Sequence, residues 1–205
     1  MEMMETLESA FGYNEPILLN EINIPGISAV YIRQMLTRLV KRGLLERYGQ
    51  GVYYIPTTTV LGKSRLSAKK VYEKKYISDG KSVYGFYAGL SLENTIGITT
   101  QVPNIIEIVT NKESSRLREI IIGKQRIRLR KSIIEITNQN IKTLEFLDLM
   151  SRINLGEMSQ ENKDKLRKYL RQQQLKQTEV FKYISKYSSR TSKNIIESGA
   201  INDLT

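Results

Sequence analysis

The chain of 205 residues contains no cysteine, no histidine and no tryptophan. The lack of cysteine excludes disulfide frameworks, thiolate zinc sites and thiol nucleophiles, and it is compatible with a reducing cytoplasm. The lack of histidine removes the usual general base at neutral pH and the commonest metal ligand. The sequence therefore lacks the residues on which most familiar enzyme mechanisms depend.

Other functional signatures are also missing. The sequence has neither a glycine-rich phosphate loop nor the nucleophile turn of a serine hydrolase. Its N-terminal MEMMETLE is acidic rather than signal-like, and no run of about eighteen apolar residues occurs. We therefore expect a cytoplasmic protein that is not an enzyme, needs no cofactor or metal, and has no membrane partner.

The formal net charge of +11 fits a polyanionic partner such as nucleic acid, although an equally basic net charge also occurs in proteins for which it serves only solubility. Residues 1–58 hold five Lys/Arg and six Asp/Glu, so the cationic excess falls in residues 59–205. Within residues 1–58, five of the acids precede Ser28, whereas all five cations follow it. The charge is thus polarised along this part of the chain.

The stretch from residue 27 to residue 56 organises the prediction. Ser28 is a good N-cap, and Gly43 is a helix terminator. Between them, apolar residues recur at helical spacing: Ala29, Ile32, Met35, Leu36, Leu39 and Val40. This pattern predicts an amphipathic helix.

The opposite face of that helix mixes cations, an amide and an aromatic residue, as a major-groove helix requires. It carries Val30, Tyr31, Arg33, Gln34, Thr37, Arg38 and Lys41. Two short strands, Leu44–Tyr48 and Val52–Ile55, then form a hairpin around Gly49, Gln50 and Gly51. The hairpin places Arg47, Tyr48 and Gln50 near a protruding tip.

The order of elements favours a winged helix-turn-helix domain over residues 1–58. A first helix over Met3–Tyr13 and a short second helix over Leu18–Ile22 precede the amphipathic helix and its hairpin. A helix and hairpin of this kind also occur in α+β domains that do not bind DNA. Pro56 and the three threonines after it predict a connector to a second domain over residues 59–205.

The second domain begins with a lysine-rich helix capped by Ser67. It carries Lys69, Lys70, Lys74 and Lys75. Two interpretations compete: a solvated helix face, which the commonness of exposed lysine favours, or a second surface that contacts phosphates.

The rest of this domain predicts a small β-sheet followed by helices, which makes the whole chain α+β. We expect a helix over Ser82–Gly97, then a strand over Pro103–Thr110 and a hairpin of Leu117–Ile122 with Arg126–Lys131. A further strand is expected over Ile133–Ile136. A buried helix that begins at Asn140 and three more helices, over Gln160–Arg171, Gln174–Tyr187 and Thr191–Ser198, complete the chain.

Three arginines alternate along the second strand of the arginine-rich hairpin. Because side chains alternate between the faces of a strand, Arg126, Arg128 and Arg130 should project from one face of the sheet. Either this face is solvated, or it binds nucleic acid or an acidic partner.

The chain resembles the AbiEi-type antitoxins of type IV abortive-infection toxin–antitoxin systems. Two elements carry the resemblance. The first is the end of the hairpin, with Gly51, Tyr53, Tyr54 and Pro56. The second is residues 96–103, IGITTQVP, which are similar to a Leu-Gly-Leu-Thr-Thr-Gln-Val-Pro signature.

The resemblance implies an antitoxin that represses its own promoter by binding inverted repeats in double-stranded DNA, with a dimer on DNA as one arrangement. It also implies a nucleotidyltransferase-like toxin as the functional partner. The DNA-contacting role carries onto Ser28, Tyr31, Arg33, Gln34, Arg38 and Lys41, with Arg47 and Gln50 in the hairpin.

Two other classes of function stay open. One is a protein-binding antitoxin or adaptor whose basic C-terminal domain docks an acidic partner. The other is a nucleic-acid enzyme that uses carboxylates such as Glu93, Glu107 or Glu145, although no local motif clusters them.

Overall fold

The computed structural model describes residues 2–60 and 62–204, and within these residues it holds eight α-helices, nine β-strands and three small sheets. The predicted α+β class is confirmed. The chain divides into two compact units, Met1–Lys75 and Tyr76–Thr205.

Unit 1 begins with α1 (Glu2–Phe11), β1 (Ile17–Leu18) and a 3₁₀ turn (Leu19–Glu21), followed by α2 (Ala29–Lys41), β2 (Glu46–Gly49) and β3 (Val52–Tyr54). Then come β4 (Thr58–Thr59), β5 (Gly62–Lys63) and α3 (Ala68–Tyr76). Strands β1, β3 and β2 form an antiparallel sheet in that order, and β4 pairs with β5. Side chains from α1, β1, α2 and the hairpin share one core, which includes Leu7, Ile17, Leu36, Leu45 and Ile55.

The expected second helix over Leu18–Ile22 is present only as one 3₁₀ turn, Leu19–Glu21. Ile17 and Leu18 pair with β3, and the amide of Leu19 donates to the carbonyl of Gly51 at 2.9 Å. Only a single 3₁₀ turn follows. Ile17 and Leu18 are extended because their backbone pairs with β3, so only one helical turn remains in the segment.

The first unit also extends further than the predicted boundary after residue 58, because α3 is bound to it. Lys70 Nζ donates to the carbonyl of Asn14 at 3.1 Å, and Lys74 Nζ donates to the carbonyl of Pro16 at 2.7 Å. Residues 1–75 contain eleven Lys/Arg and seven Asp/Glu, a net charge of +4. The first unit is therefore basic rather than slightly acidic.

Helix α2 begins and ends where the sequence predicts. The Oγ of Ser28 accepts a hydrogen bond from the amide of Tyr31 at 3.3 Å. Gly43 has a φ of +70°, a conformation that favours glycine, and its amide donates to the carbonyl of Val40 at 3.0 Å. Both ends of the helix are thus fixed by local chemistry.

Unit 2 contains β6 (Gly85–Ala88), α4 (Gly89–Thr95), β7 (Ile105–Thr110), β8 (Arg118–Ile122) and β9 (Gln125–Lys131). The helices α5 (Ile141–Arg152), α6 (Gln160–Gln173), α7 (Gln177–Ile184) and α8 (Ser189–Glu197) follow, with a final 3₁₀ turn (Ala200–Asp203). The strand order is β6-β7-β9-β8, in which β7 and β9 are parallel and the other pairs antiparallel.

Helix α5 is the core helix of unit 2, as its sequence predicts. Leu144 joins Phe86 and Val109 of the sheet in one apolar cluster. Phe146, Leu147, Leu149 and Met150 join a second cluster with the C-terminal helices. The helix therefore links the sheet to the helical part of the unit.

The expected helix over Ser82–Gly97 is wrong in its first half, because Gly85–Ala88 forms strand β6. A Cβ at Gly85 would lie 1.9 Å from the carbonyl oxygen of Tyr76. The strand depends on this close backbone approach and on pairing with β7, neither of which is visible in local periodicity.

The expected strand over Ile133–Ile136 is also absent from the described part of the chain. The side chain of Asn111 forms hydrogen bonds with both backbone groups of Ile136. Asn111 Oδ1 accepts from the amide of Ile136 at 2.9 Å, and Asn111 Nδ2 donates to its carbonyl at 2.8 Å. Asn140 precedes α5, but its side chain accepts from the amide of Thr137 at 2.8 Å and donates to the carbonyl of Glu135 at 2.9 Å. It therefore secures the preceding loop instead of capping the helix.

Candidate nucleic-acid interface

The outward face of α2 is exposed, and its inward face anchors the helix. Ile32, Leu36 and Leu39 are buried in the core of unit 1. Every residue predicted to contact DNA is exposed: Ser28, Tyr31, Arg33, Gln34, Arg38, Lys41, Arg47 and Gln50. A rigid helix therefore presents donors and cations to solvent, as direct contact with base edges and phosphates requires.

Two further residues lie on this face and were not among the predicted contacts. Val30 is 61% exposed, although it is aliphatic. Arg42, the C-cap residue that follows α2, is also exposed and adds a cation beside Lys41. Val30 could have been selected from the sequence because it falls on the polar face of the helical projection.

The β2–β3 hairpin follows α2 closely. Gly51 has a φ of +67°, which favours glycine at this tight turn. Arg47 Nε donates to the carbonyl of Gly49 at 3.3 Å, while its side chain stays exposed. The hairpin thus holds a cation on unit 1 next in sequence to the exposed helix.

A lysine offsets the acid of this hairpin. Lys63 Nζ lies 2.8 Å from Glu46 Oε1 and donates to the carbonyl of Gly43 at 2.9 Å. Lys63 thereby neutralises Glu46 and stabilises the C-terminal end of α2. This contact joins β5 to the end of the candidate interface.

The predicted second basic surface on α3 is largely used inside unit 1. Lys70 pairs with Glu15, and Lys74 Nζ lies 3.0 Å from Glu21 and 4.9 Å from the ring of Phe11. Lys69 is exposed and lies 3.9 Å from Glu73. Lys75 is half-buried. Lys70 and Lys74 therefore stabilise the packing of α3 within unit 1.

The arginine row, which consists of Arg126, Arg128 and Arg130, is ion-paired with acidic side chains rather than simply solvated. Its three guanidinium groups lie on one face of the sheet, as predicted. Each of them forms an ion pair with at least one acidic side chain. The arginine–acid chain is an alternating series of seven ion-paired residues: Arg126, Glu119, Arg128, Glu107, Arg152, Asp148 and Arg130.

The arginine–acid chain crosses from the sheet to α5. Arg128 Nη2 lies 2.7 Å from Glu119 on β8, and Arg128 Nη1 lies 3.4 Å from Glu107 on β7. Arg152 on α5 bridges Glu107 at 3.1 Å and Asp148 at 3.8 Å. The sequence could not reveal these pairs, because the partners come from four separate elements.

Glu119 in the arginine–acid chain and Glu93 beside it have pKa values shifted in opposite directions. Hydrogen bonds from Arg128 and Arg126, assisted by their charges, lower the pKa of Glu119. Burial, together with the charge of nearby Glu107, raises the pKa of Glu93. Pairing with two arginines therefore favours the ionised form of Glu119.

Of the carboxylates considered for enzymatic chemistry, Glu93 lies near Glu107, whereas Glu145 has a different partner. Glu107 belongs to the arginine–acid chain, whereas Glu145 accepts a hydrogen bond from the hydroxyl of Tyr169 on α6. Burial raises the pKa of Glu145. In residues 2–60 and 62–204, no three acidic side chains converge as a metal site would require.

Within the described residues, none of the helices combines the length and the apolar character that crossing a bilayer requires.

Comparison with known proteins places the chain in a family. A search of curated proteins finds no match. A family model described as "Family of unknown function (DUF6088)" matches residues 16–179, which span the amphipathic helix, the hairpin, the sheet of unit 2 and α5. The chain therefore belongs to the DUF6088 family.

Proposed function

We propose that unit 1 is a winged helix-turn-helix module and that the protein is a cytoplasmic, DNA-binding antitoxin that represses its own promoter. In this proposal α2 enters the major groove, and the β2–β3 hairpin is the wing that contacts the backbone or the minor groove. The order helix, strand, turn, helix and hairpin supports this assignment.

The observation that carries the proposal is the outward face of α2. Arg33, Gln34 and Arg38 are all exposed there, on a helix whose opposite face is buried. Arginine and glutamine are the side chains that pair in two-bond fashion with guanine and adenine in the major groove. Such a face has no role in the core of unit 1.

Charge supports the same conclusion. Unit 1 carries a net charge of +4 once α3 is included. Its cations near the interface follow residue 28, whereas α1 contributes acids. Phosphate contacts by these cations would supply affinity and orientation, and the α2 side chains would supply sequence preference.

The antitoxin part of the proposal rests on the resemblance to AbiEi-type antitoxins. Residues 96–103, which carry it, lie between α4 and β7 of unit 2. The partner would be a nucleotidyltransferase-like toxin encoded beside the gene, opposed without catalysis by this chain. The promoter target would be an inverted repeat, with two copies of the protein bound.

A DNA-binding measurement over a range of salt concentrations tests the proposal. The full chain is titrated into a labelled duplex taken from upstream of its own gene, with a scrambled duplex as the control. If about six phosphates are contacted, affinity should fall about a thousandfold between 50 and 200 mM salt. Binding that shows neither a promoter preference nor salt dependence would contradict the proposal.

The alternative, an adaptor that docks an acidic partner, is favoured by one observation. Residues 76–205 hold 21 Lys/Arg and 14 Asp/Glu, a net charge of +7. Co-purification with the neighbouring gene product, together with failure to bind the promoter duplex, would support the adaptor over the repressor.

A further inference from the structure

Val30 is an apolar residue on the otherwise polar, solvent-exposed face of α2. Val30 lies in the first turn, and Gln34, Thr37 and Lys41 follow it four, seven and eleven residues later. These spacings place all four side chains in one stripe along the helix. An aliphatic side chain that is 61% exposed therefore heads the stripe.

Val30 contributes little to the fold. The buried residues of α2 are Ile32, Leu36 and Leu39, and with the half-buried Met35 and Val40 they form the contact of the helix with the core. The valine side chain has no donor or acceptor, so it cannot bond to a phosphate or to a polar base edge. The apolar group that the major groove offers to such a side chain is the C5 methyl of thymine.

We propose that Val30 contacts the C5 methyl group of a thymine in each half-site. This inference rests on the proposed DNA-binding function of α2. Val30 and Gln34 are four residues apart, roughly 6 Å along the helix axis, whereas base pairs are spaced by about 3.4 Å. The thymine therefore lies within one or two base pairs of the base that Gln34 contacts.

Replacing thymine by uracil removes only this methyl group and leaves base pairing intact. In duplexes of the promoter DNA, each thymine is replaced singly by uracil, and binding of the full chain is measured. One position per half-site should lose about fourfold in affinity, which corresponds to burial of one methyl group.

The Val30→Ala variant assigns that methyl contact to a residue. It should bind the thymine duplex about fourfold more weakly and should no longer distinguish thymine from uracil at that position. Alanine favours the helix and Val30 is exposed, so the variant should fold. Val60→Ala is the matched control, because Val60 is fully exposed and lies outside α2; it should keep the full difference.

Three other results would contradict the proposal, and each contradicts a different part of it. Uniform affinity at every replaced thymine would overturn the methyl contact while leaving promoter binding intact. A thymine–uracil difference that persists in Val30→Ala would overturn the assignment to Val30. Absence of promoter binding by the unchanged chain would overturn the proposed function, and this inference would fall with it.

Discussion

Arg130 on β9 donates two hydrogen bonds to Asp148 on α5, with Nη2 at 3.0 Å from Oδ1 and 2.9 Å from Oδ2. The two side chains are only 16% and 7% exposed. The pair thus joins the sheet of unit 2 to its core helix at the buried end of the arginine–acid chain. Each charge depends on its partner, because neither can be solvated fully where it lies.

Substitution of Arg130 should destabilise unit 2. Arg130→Gln leaves Asp148 buried with the longer contact to Arg152, and we expect a loss of about 3 kcal/mol in the free energy of unfolding. Arg126→Gln is the matched control, because Arg126 is 58% exposed and its substitution should change stability little. Urea denaturation of the full chain measures both, and equal effects would refute the structural role of the buried pair.

The proposed interface on α2 and the ion pairs of the arginine row together predict which cations contact DNA. Lys41→Gln should reduce the slope of log affinity against log salt by about 0.9, the value for one lost phosphate contact. Arg126→Gln removes the same charge but should leave the slope unchanged, because Arg126 is paired with Glu119. A reversed pattern would show that the arginine row, and not α2, lies on the phosphate backbone.

Helix α3 should be required for a stable first unit. A fragment of residues 1–75 retains the contacts of Lys70 and Lys74 with the segment after α1, whereas a fragment of residues 1–58 lacks them. We expect the longer fragment to melt cooperatively at the higher temperature and to bind the promoter duplex more tightly. Circular dichroism and anisotropy measure the two properties. Equal melting temperatures would show that the boundary after residue 58 is adequate.

Acid stability should depend on Asp203. Hydrogen bonds from Arg171 and Arg167 to its carboxylate, opposed in part by burial, lower its pKa from the ordinary value of 3.8. A group whose pKa is lower in the folded state stabilises the protein above its unfolded pKa and loses that contribution as pH falls through the folded value. The contribution is therefore present above pH 3.8 and is lost below it.

Asp203→Asn should thus lower stability at neutral pH and flatten its decline below pH 3.8. Asp164→Asn is the control, because Asp164 is exposed and, among the residues that the structure describes, accepts a hydrogen bond only from Gln160. Thermal unfolding at several pH values makes the comparison. If the stability of Asp203→Asn declined below pH 3.8 as steeply as that of the unchanged chain, the pairing of Asp203 with the two arginines would be contradicted.

The sequence predicted what short-range chemistry determines. Helix α2 depends on the Ser28 cap, an apolar stripe and Gly43, all within sixteen residues of sequence, and each behaves as expected. The hairpin after it depends likewise on adjacent residues. The exposed face of α2 follows from the same periodicity, so the candidate interface was largely predictable.

Long-range contacts determine what the sequence did not show. Strand β6 depends on the approach of Gly85 to the carbonyl of Tyr76, and α3 joins unit 1 through lysines that reach residues 14–21. The alternation of the three arginines was correctly predicted, but their partners were not. Asp148 and Glu107 come from other elements, and only the fold brings them to the arginines.

The central claim is that the exposed face of α2 contacts base edges in the promoter. The most direct test compares affinities for the promoter duplex and for a scrambled duplex in variants of that face and of the wing. Arg33→Ala and Gln34→Ala should each weaken promoter binding by about 1 to 3 kcal/mol with a smaller change for the scrambled duplex. Arg47→Ala should weaken both duplexes alike. Promoter affinity that is unchanged in both helix variants would contradict the account.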